Sequence, residues 1–364
     1  MKLGIVGLPN SGKTTLYNAI MQAEMETSNY PFTTTTPNMG RALVPDERLT
    51  RLQEMYNPKV ITPATVEMVD IAGLAKGASH GEGMGNQFLA HIRECDAIVH
   101  VVRCFADDNV IHIYDSVDPV RDIETVDLEL IFADLELIER RLTKVQKTAR
   151  TDKTFQREAD ILSLIKEILE NGKAARTLTW DNPEDLKLVE SFTLITQKPV
   201  LYAANVAEDE LGDIPPGSPL EALKNYAEAE KSGFYVSCAK MEAEIAMLDP
   251  AEKQMFLEDL GLTDSGLDRL INAGYEMLGL ISFLTAGEKE VRAWTIRRNT
   301  KAPQAAGKIH SDLERGFIRA EVVAFTDLIE SGSYAAAKEK GLVRVEGKEY
   351  IVQDGDVILV RFNV

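Results

Sequence analysis

The most chemically loaded stretch is Gly7-Leu8-Pro9-Asn10-Ser11-Gly12-Lys13-Thr14, which carries the spacing G-x-x-x-x-G-K-[ST]. Glycines at these positions let the main chain curl until successive N–H groups face phosphate oxygens. A helix starting at its end adds the positive pole of its dipole. Lys13 is then placed for β- and γ-phosphates, and the Thr14 hydroxyl for Mg²⁺. Asn10, Ser11, Gly12, Lys13, Thr14 and Thr15 are the expected nucleotide contacts. An apolar run at 3–6 precedes the loop and a helical pattern at 14–22 follows it, which is the context the motif requires.

A second strand-like run, Val66-Glu67-Met68-Val69-Asp70, leads into Ile71-Ala72-Gly73 and completes D-x-x-G. Asp70, at the end of such a strand, is expected to hold a magnesium-bound water, and Gly73 to let the backbone approach a γ-phosphate. Between the motifs lies Thr33-Thr34-Thr35-Thr36, where one switch threonine for Mg²⁺ is expected, the spacing leaving open which of the four it is. Five glycines between residues 73 and 85 predict a loop that orders on binding.

Leu74 follows Gly73, where a glutamine often orients the attacking water. Leucine makes no hydrogen bond, so slow turnover is predicted and another group must place the water. His80 and His112 are the candidates; His91 and His100 read as packing residues. Guanine is read by N-K-x-D, but here the sequence after a strand is Asn205-Val206-Ala207-Glu208. Loss of the lysine and of a fixed aspartate removes bonds of roughly 1.5–3 kcal/mol each and with them a strong guanine preference. ATP over GTP follows. Val206 offers an apolar surface to the base, Asn205 either a bracing or a base-reading amide, with Glu208 and Ser237 completing the pocket.

The elements that must position these groups are legible around them. Apolar runs at 3–6, 66–69, 97–102, 200–203 and 234–236 predict buried strands of a mostly parallel sheet, hence an α/β fold. Residues 120–189 are instead charged and helical, with Leu128, Ile131, Leu135, Ile138 and Leu142 on one stripe and Ile161, Leu164, Ile165 and Ile168 on another. They predict an antiparallel helical hairpin inserted into a nucleotide-binding domain of two segments, 1–119 and 190–279. Beyond 280, strand-like runs at 291–296, 318–323, 342–345 and 357–362 and a helix over 305–314 predict a small α+β domain, 280–364. The 364 residues suit such a division, and their formal net charge of −18 argues against a globally basic nucleic-acid coat. Three widely spaced cysteines suggest neither a disulfide framework nor a zinc site, and no apolar run is long enough for a membrane span. A cytoplasmic protein is expected.

These motifs together resemble the YchF family, the Obg-like ATPases among P-loop NTPases. The resemblance runs through residues 4–19, 30–38, 69–92, 101–105, 205–208, 291–296, 302–320 and 354–364, nearly the whole chain. It implies a P-loop G-domain fold interrupted by the hairpin and followed by a TGS domain of β-grasp type. It further implies ATP preference, Mg²⁺ on Thr14 and Thr34, base contact at Val206, and His112 rather than His80 as the hydrolysis-promoting histidine. Thr14 stands where many members have serine, which keeps the hydroxyl. Basic residues (Arg140, Arg141, Lys144, Lys147, Arg150, Lys153, Arg157) mark the hairpin, and Arg292, Arg297, Arg298, Lys301 and Lys308 the last domain. With the resemblance they imply association with the ribosome or RNA, salt-sensitive and nucleotide-dependent. The alternative is a binding module in which nucleotide sets conformation and hydrolysis is incidental.

Overall fold

The computed structural model describes residues 1–27, 39–71, 84–259, 262 and 264–363. The strands are β1 (Lys2–Val6), β2 (Met39–Leu43), β3 (Val60–Thr62), β4 (Thr65–Asp70), β5 (Ala97–Arg103), β6 (Val200–Asn205), β7 (Gly233–Ser237), β8 (Leu280–Ala286), β9 (Glu290–Arg297), β10 (Phe317–Ala324), β11 (Arg344–Glu346) and β12 (Asp356–Phe362). The first helices are α1 (Lys13–Thr27), α2 (Glu47–Tyr56), α3 (Met84–Glu94), α4 (Pro119–Ala149), α5 (Gln156–Glu170), α6 (Pro183–Glu190), α7 (Pro219–Glu230) and α8 (Ala239–Ile245). Two compact units result. One joins Met1–Gly40 to Glu67–Leu267, the other Arg41–Val66 to Asp268–Val364.

The first unit is built on a sheet of order β2-β4-β1-β5-β6-β7, with β4, β1, β5, β6 and β7 mutually parallel. Every residue of β5 and β6 is buried, as a sheet covered on both faces requires. The ends of β1 and β4 lie side by side, with Ile5 opposite Asp70. The phosphate loop and Asp70 are thereby neighbours at the carboxyl edge, where open α/β sheets bind ligands.

Asp118 caps α4 by accepting the Arg121 N–H (3.1 Å), with Pro119 in the first turn. The root of α4 (Ile123, Val126, Leu130) joins the core of the sheet, whereas its distal part (Ile138, Leu142, Val145) packs on Ile161, Leu162, Ile165 and Leu169 of α5. Ion pairs Arg141–Glu158 (2.8 Å) and Lys166–Glu139 (3.0 Å) fix the pair as antiparallel. Leu128 and Leu164, expected on the apolar stripes, are exposed. One helix serves two partners in succession, so its buried face turns between root and tip.

In the second unit β8 and β9 form an antiparallel hairpin, the helix Ala302–Ile309 crosses it, and β12 returns parallel to β8 in the order β11-β10-β12-β8-β9-β3. This is a β-grasp arrangement around Phe283, Ile296, Ala305, Ala320 and Val322. The helix expected over 305–314 is two helices, because His310 adopts an extended conformation between Ala302–Ile309 and Ser311–Arg315. Residues 41–66, expected with the nucleotide domain, group here, since β3 pairs in parallel with β9, Val60 opposite Glu290.

Candidate functional site

Between β1 and α1 the chain turns through Gly7 (φ 151°), Asn10 (φ 62°) and Gly12 (φ 97°). A Cβ on Gly7 would overlap the Val101 carbonyl, and one on Gly12 the Asn205 side-chain nitrogen, so both glycines are demanded by shape as well as by φ. Lys13 Nζ donates to the Leu8 carbonyl (2.7 Å), curling the loop around its own ammonium. Lys13 is 6% exposed, and this burial pushes its pKa down to about 8 against the opposing attraction of Asp70. Thr14 Oγ1 donates to Asp70 Oδ2 (3.2 Å). The two side chains expected at one metal are therefore in contact.

Among the described residues, Ser11 Oγ and Asp70 Oδ1 are buried without a hydrogen-bond partner. Buried polar groups are normally satisfied. An unpaired carboxylate oxygen beside a threonine hydroxyl and an ammonium has the chemistry of a magnesium phosphate site, so Thr14 and Asp70 fit the ion expected there. Thr15 is exposed in the first turn of α1. Thr34, Gly73, Leu74 and His80 lie outside the described residues.

At the end of β6, Asn205 Nδ2 donates to the Ser11 carbonyl (3.0 Å) and its Oδ1 accepts the Ala239 N–H (2.9 Å). Both ends of the amide are engaged, which makes Asn205 the brace that ties the phosphate loop to the loop after β7. Val206 is 2% exposed and part of the core, its N–H bonded to the Ser237 carbonyl (2.9 Å). The apolar surface expected of its side chain is turned inward, because the side-chain alternation of β6 continues through it. Glu208 is exposed at the start of the turn Glu208–Glu210, and Ser237 is buried.

His112 sits in the segment between β5 and α4. Arg103 organises that segment by donating to the carbonyls of Phe105 (3.1 Å), Asp107 (3.1 Å) and Val110 (2.8 Å). Asn10 of the phosphate loop donates to the Ile111 carbonyl (3.0 Å). His112 is thus one residue from a contact with the phosphate loop, yet its side chain is 7% exposed and bonded elsewhere: Nδ1 accepts the Tyr114 N–H (3.1 Å) and Nε2 lies 2.9 Å from Asp122 Oδ2. Sequence reasoning finds neither Arg103 nor the Asn10–Ile111 bond; an arginine closing a buried strand is the available signal. His100 is fully buried in β5, and burial, with Arg176 and Lys13 nearby, pushes its pKa down to about 3, in keeping with a packing role.

The basic groups divide. Arg141 is committed to Glu158 and the Phe192 ring, Arg157 to Asp185, and Arg140 to Glu136. Lys144, Lys147, Arg150 and Lys153 remain exposed about the hairpin tip. In the second unit Arg292 lies over the Trp294 ring, and Lys301 pairs with Glu349. No helix among the described residues is long and apolar enough to cross a membrane.

A glycine-curled loop between a buried strand and a helix, with lysine, threonine and a strand-end aspartate converging on it, defines a P-loop nucleoside triphosphatase of the GTPase-like class. A family model described as 50S ribosome-binding GTPase, MMR_HSR1, matches residues 2–147, and YchF-GTPase_C, described as a protein of unknown function, matches residues 280–363. The chain is 56% identical over 362 residues to Ribosome-binding ATPase YchF of Bacillus subtilis strain 168, covering 99% of each. It is 42% identical over 367 residues to Obg-like ATPase 1 of Caenorhabditis elegans, covering 100% of this chain and 92% of that protein. The solved structure of the Schizosaccharomyces pombe YchF GTPase superposes with a TM-score of 0.88 at 36% identity, covering 99% and 97% of the two chains. The chain belongs to the YchF family, as its motifs suggest.

Proposed function

We propose that this protein is a cytoplasmic Mg-dependent ATPase, preferring ATP to GTP and hydrolysing it slowly, whose nucleotide state governs association with the ribosome. The observation that carries the reading is the convergence of Lys13, Thr14 and Asp70, with Asp70 Oδ1 left unpaired. The P-loop main-chain amides and Lys13 would bind the β- and γ-phosphates, while Thr14 and Asp70, with Thr34, would hold Mg²⁺. The bound ion would neutralise charge developing on the phosphates. Base selection would rest on Glu208, the region of Ser237 and the main chain about Val206, since Asn205 is engaged as a brace. His112 would orient the attacking water from a segment tied to the phosphate loop through Asn10. The names of relatives, Ribosome-binding ATPase among them, support the ribosome as partner. The exposed hairpin-tip cations offer it a contact.

A second reading, a nucleotide-sensing module in which hydrolysis is incidental, is favoured by one observation: both His112 ring nitrogens are hydrogen-bonded within the protein. Paired titrations of the parent and Lys13→Ala with Mg·ATP and Mg·GTP, followed for phosphate release, test the proposal. The parent is expected to bind ATP more tightly and turn it over slowly, with both properties lost in the variant. Equal handling of the two nucleotides, or an unaffected Lys13→Ala, would refute it.

A further inference from the structure

Because the Tyr114 N–H occupies Nδ1 of His112, the proton of the neutral imidazole resides on Nε2, which donates to Asp122 Oδ2. The other carboxylate oxygen, Asp122 Oδ1, accepts Arg121 Nε (3.1 Å) and a terminal guanidinium nitrogen (2.9 Å). Arg121 in turn lies over the Tyr114 ring, 4.5 Å from its centroid, and donates to Ser116. Asp122 is 4% exposed and fully engaged. It belongs to the first turn of α4, the hairpin helix, and not to a nucleotide loop. A histidine so held has no ring nitrogen with which to receive or orient a water, and breaking a bond to a buried carboxylate is the largest obstacle to freeing it.

We propose that Asp122 is a positioning residue that keeps His112 latched to the root of the hairpin and so sets the low resting turnover. The inference rests on the reading of His112 as the residue that assists hydrolysis. Its bland rival is a satisfied buried histidine whose aspartate only stabilises the fold, and the two differ in sign. A structural aspartate, when replaced, lowers turnover or leaves it alone; a latch, when replaced, raises it.

The test compares resting ATP turnover in the parent, Asp122→Asn, Asp122→Ala, His112→Ala and the double variant Asp122→Ala/His112→Ala. A rise in kcat of roughly three- to tenfold is expected for Asp122→Ala, smaller for the isosteric Asp122→Asn, with KM unchanged and the gain absent from the double variant. Unchanged or reduced kcat in Asp122→Asn with a parental melting curve overturns the latch. Asp122→Asn keeps the shape of the site and decides alone if Asp122→Ala does not fold. Loss of turnover in His112→Ala without a gain in the Asp122 variants defeats the latch but leaves the role of His112 standing. Unaffected turnover in His112→Ala removes that role, and the latch with it.

Discussion

Lys13 shows how far a residue's chemistry is set by its surroundings. Burial lowers its pKa to about 8, against the attraction of Asp70, while its ammonium donates to the Leu8 carbonyl. A triphosphate requires the ammonium form, so above pH 8 binding must be accompanied by proton uptake. Nucleotide affinity should therefore be flat below pH 8 and fall by up to about tenfold per unit above it. The sign for stability is opposite: between pH 8 and the ordinary lysine pKa the unfolded chain binds more protons, so the nucleotide-free protein gains stability as pH rises. Calorimetric titration from pH 7 to 9.5 checks the first statement, and Lys13→Arg, which stays charged, should abolish the slope. The phosphate loop is legible in the sequence because its eight residues are contiguous. The Asn205 amide is not assignable there, since its partner Ser11 is 194 residues away and only the fold brings them together. Val206 misleads for a related reason: a motif position names a neighbourhood, whereas the strand before it decides which way the side chain turns.

At the scale of elements, periodicity alone identifies α4 and α5 as a hairpin, but it assigns each helix a single face and a single partner. Leu128 is exposed because the stripe shifts where α4 leaves the sheet and meets α5, and Leu164 because α5 buries Leu162, Ile165 and Leu169 instead. The basic run likewise overstates the free charge, since no spacing rule reveals that Arg141 faces Glu158 or Arg157 faces Asp185. The electrostatic contact proposed for the tip then belongs to Lys144, Lys147, Arg150 and Lys153. Replacing all four with alanine should weaken retention on ribosomes and flatten its dependence on salt, by roughly 0.7–0.9 in the log–log slope for each phosphate no longer neutralised. Arg157→Ala, which breaks an internal ion pair, should leave that slope where it is. Sedimentation with ribosomes across a salt series measures both, and an identical slope for the fourfold variant would exclude the tip.

For the molecule as a whole, the division into units is not a single cut near residue 280. Residues 41–66 return to the second unit, where Leu49 and Leu52 are 5% and 0% exposed and Thr62 donates to Glu290 Oε1 (2.6 Å). Sequence reading misses this because β3 is three residues long and its partner strand lies far along the chain. A chain ending at residue 279 should accordingly be poorly soluble or melt early, since each uncovered leucine forfeits about 1.5–3 kcal/mol. A monomeric, cooperatively melting 1–279 would contradict the shared ownership of that segment.

The 228 residues separating Thr62 from Glu290 also set a clock during synthesis. At ordinary elongation rates the interval is on the order of 10–50 s. Throughout it the early segment has emerged while the strand it must join has yet to be made. The nascent protein therefore passes through a long stage with Leu49 and Leu52 unsheltered, when a holding chaperone would have most to gain.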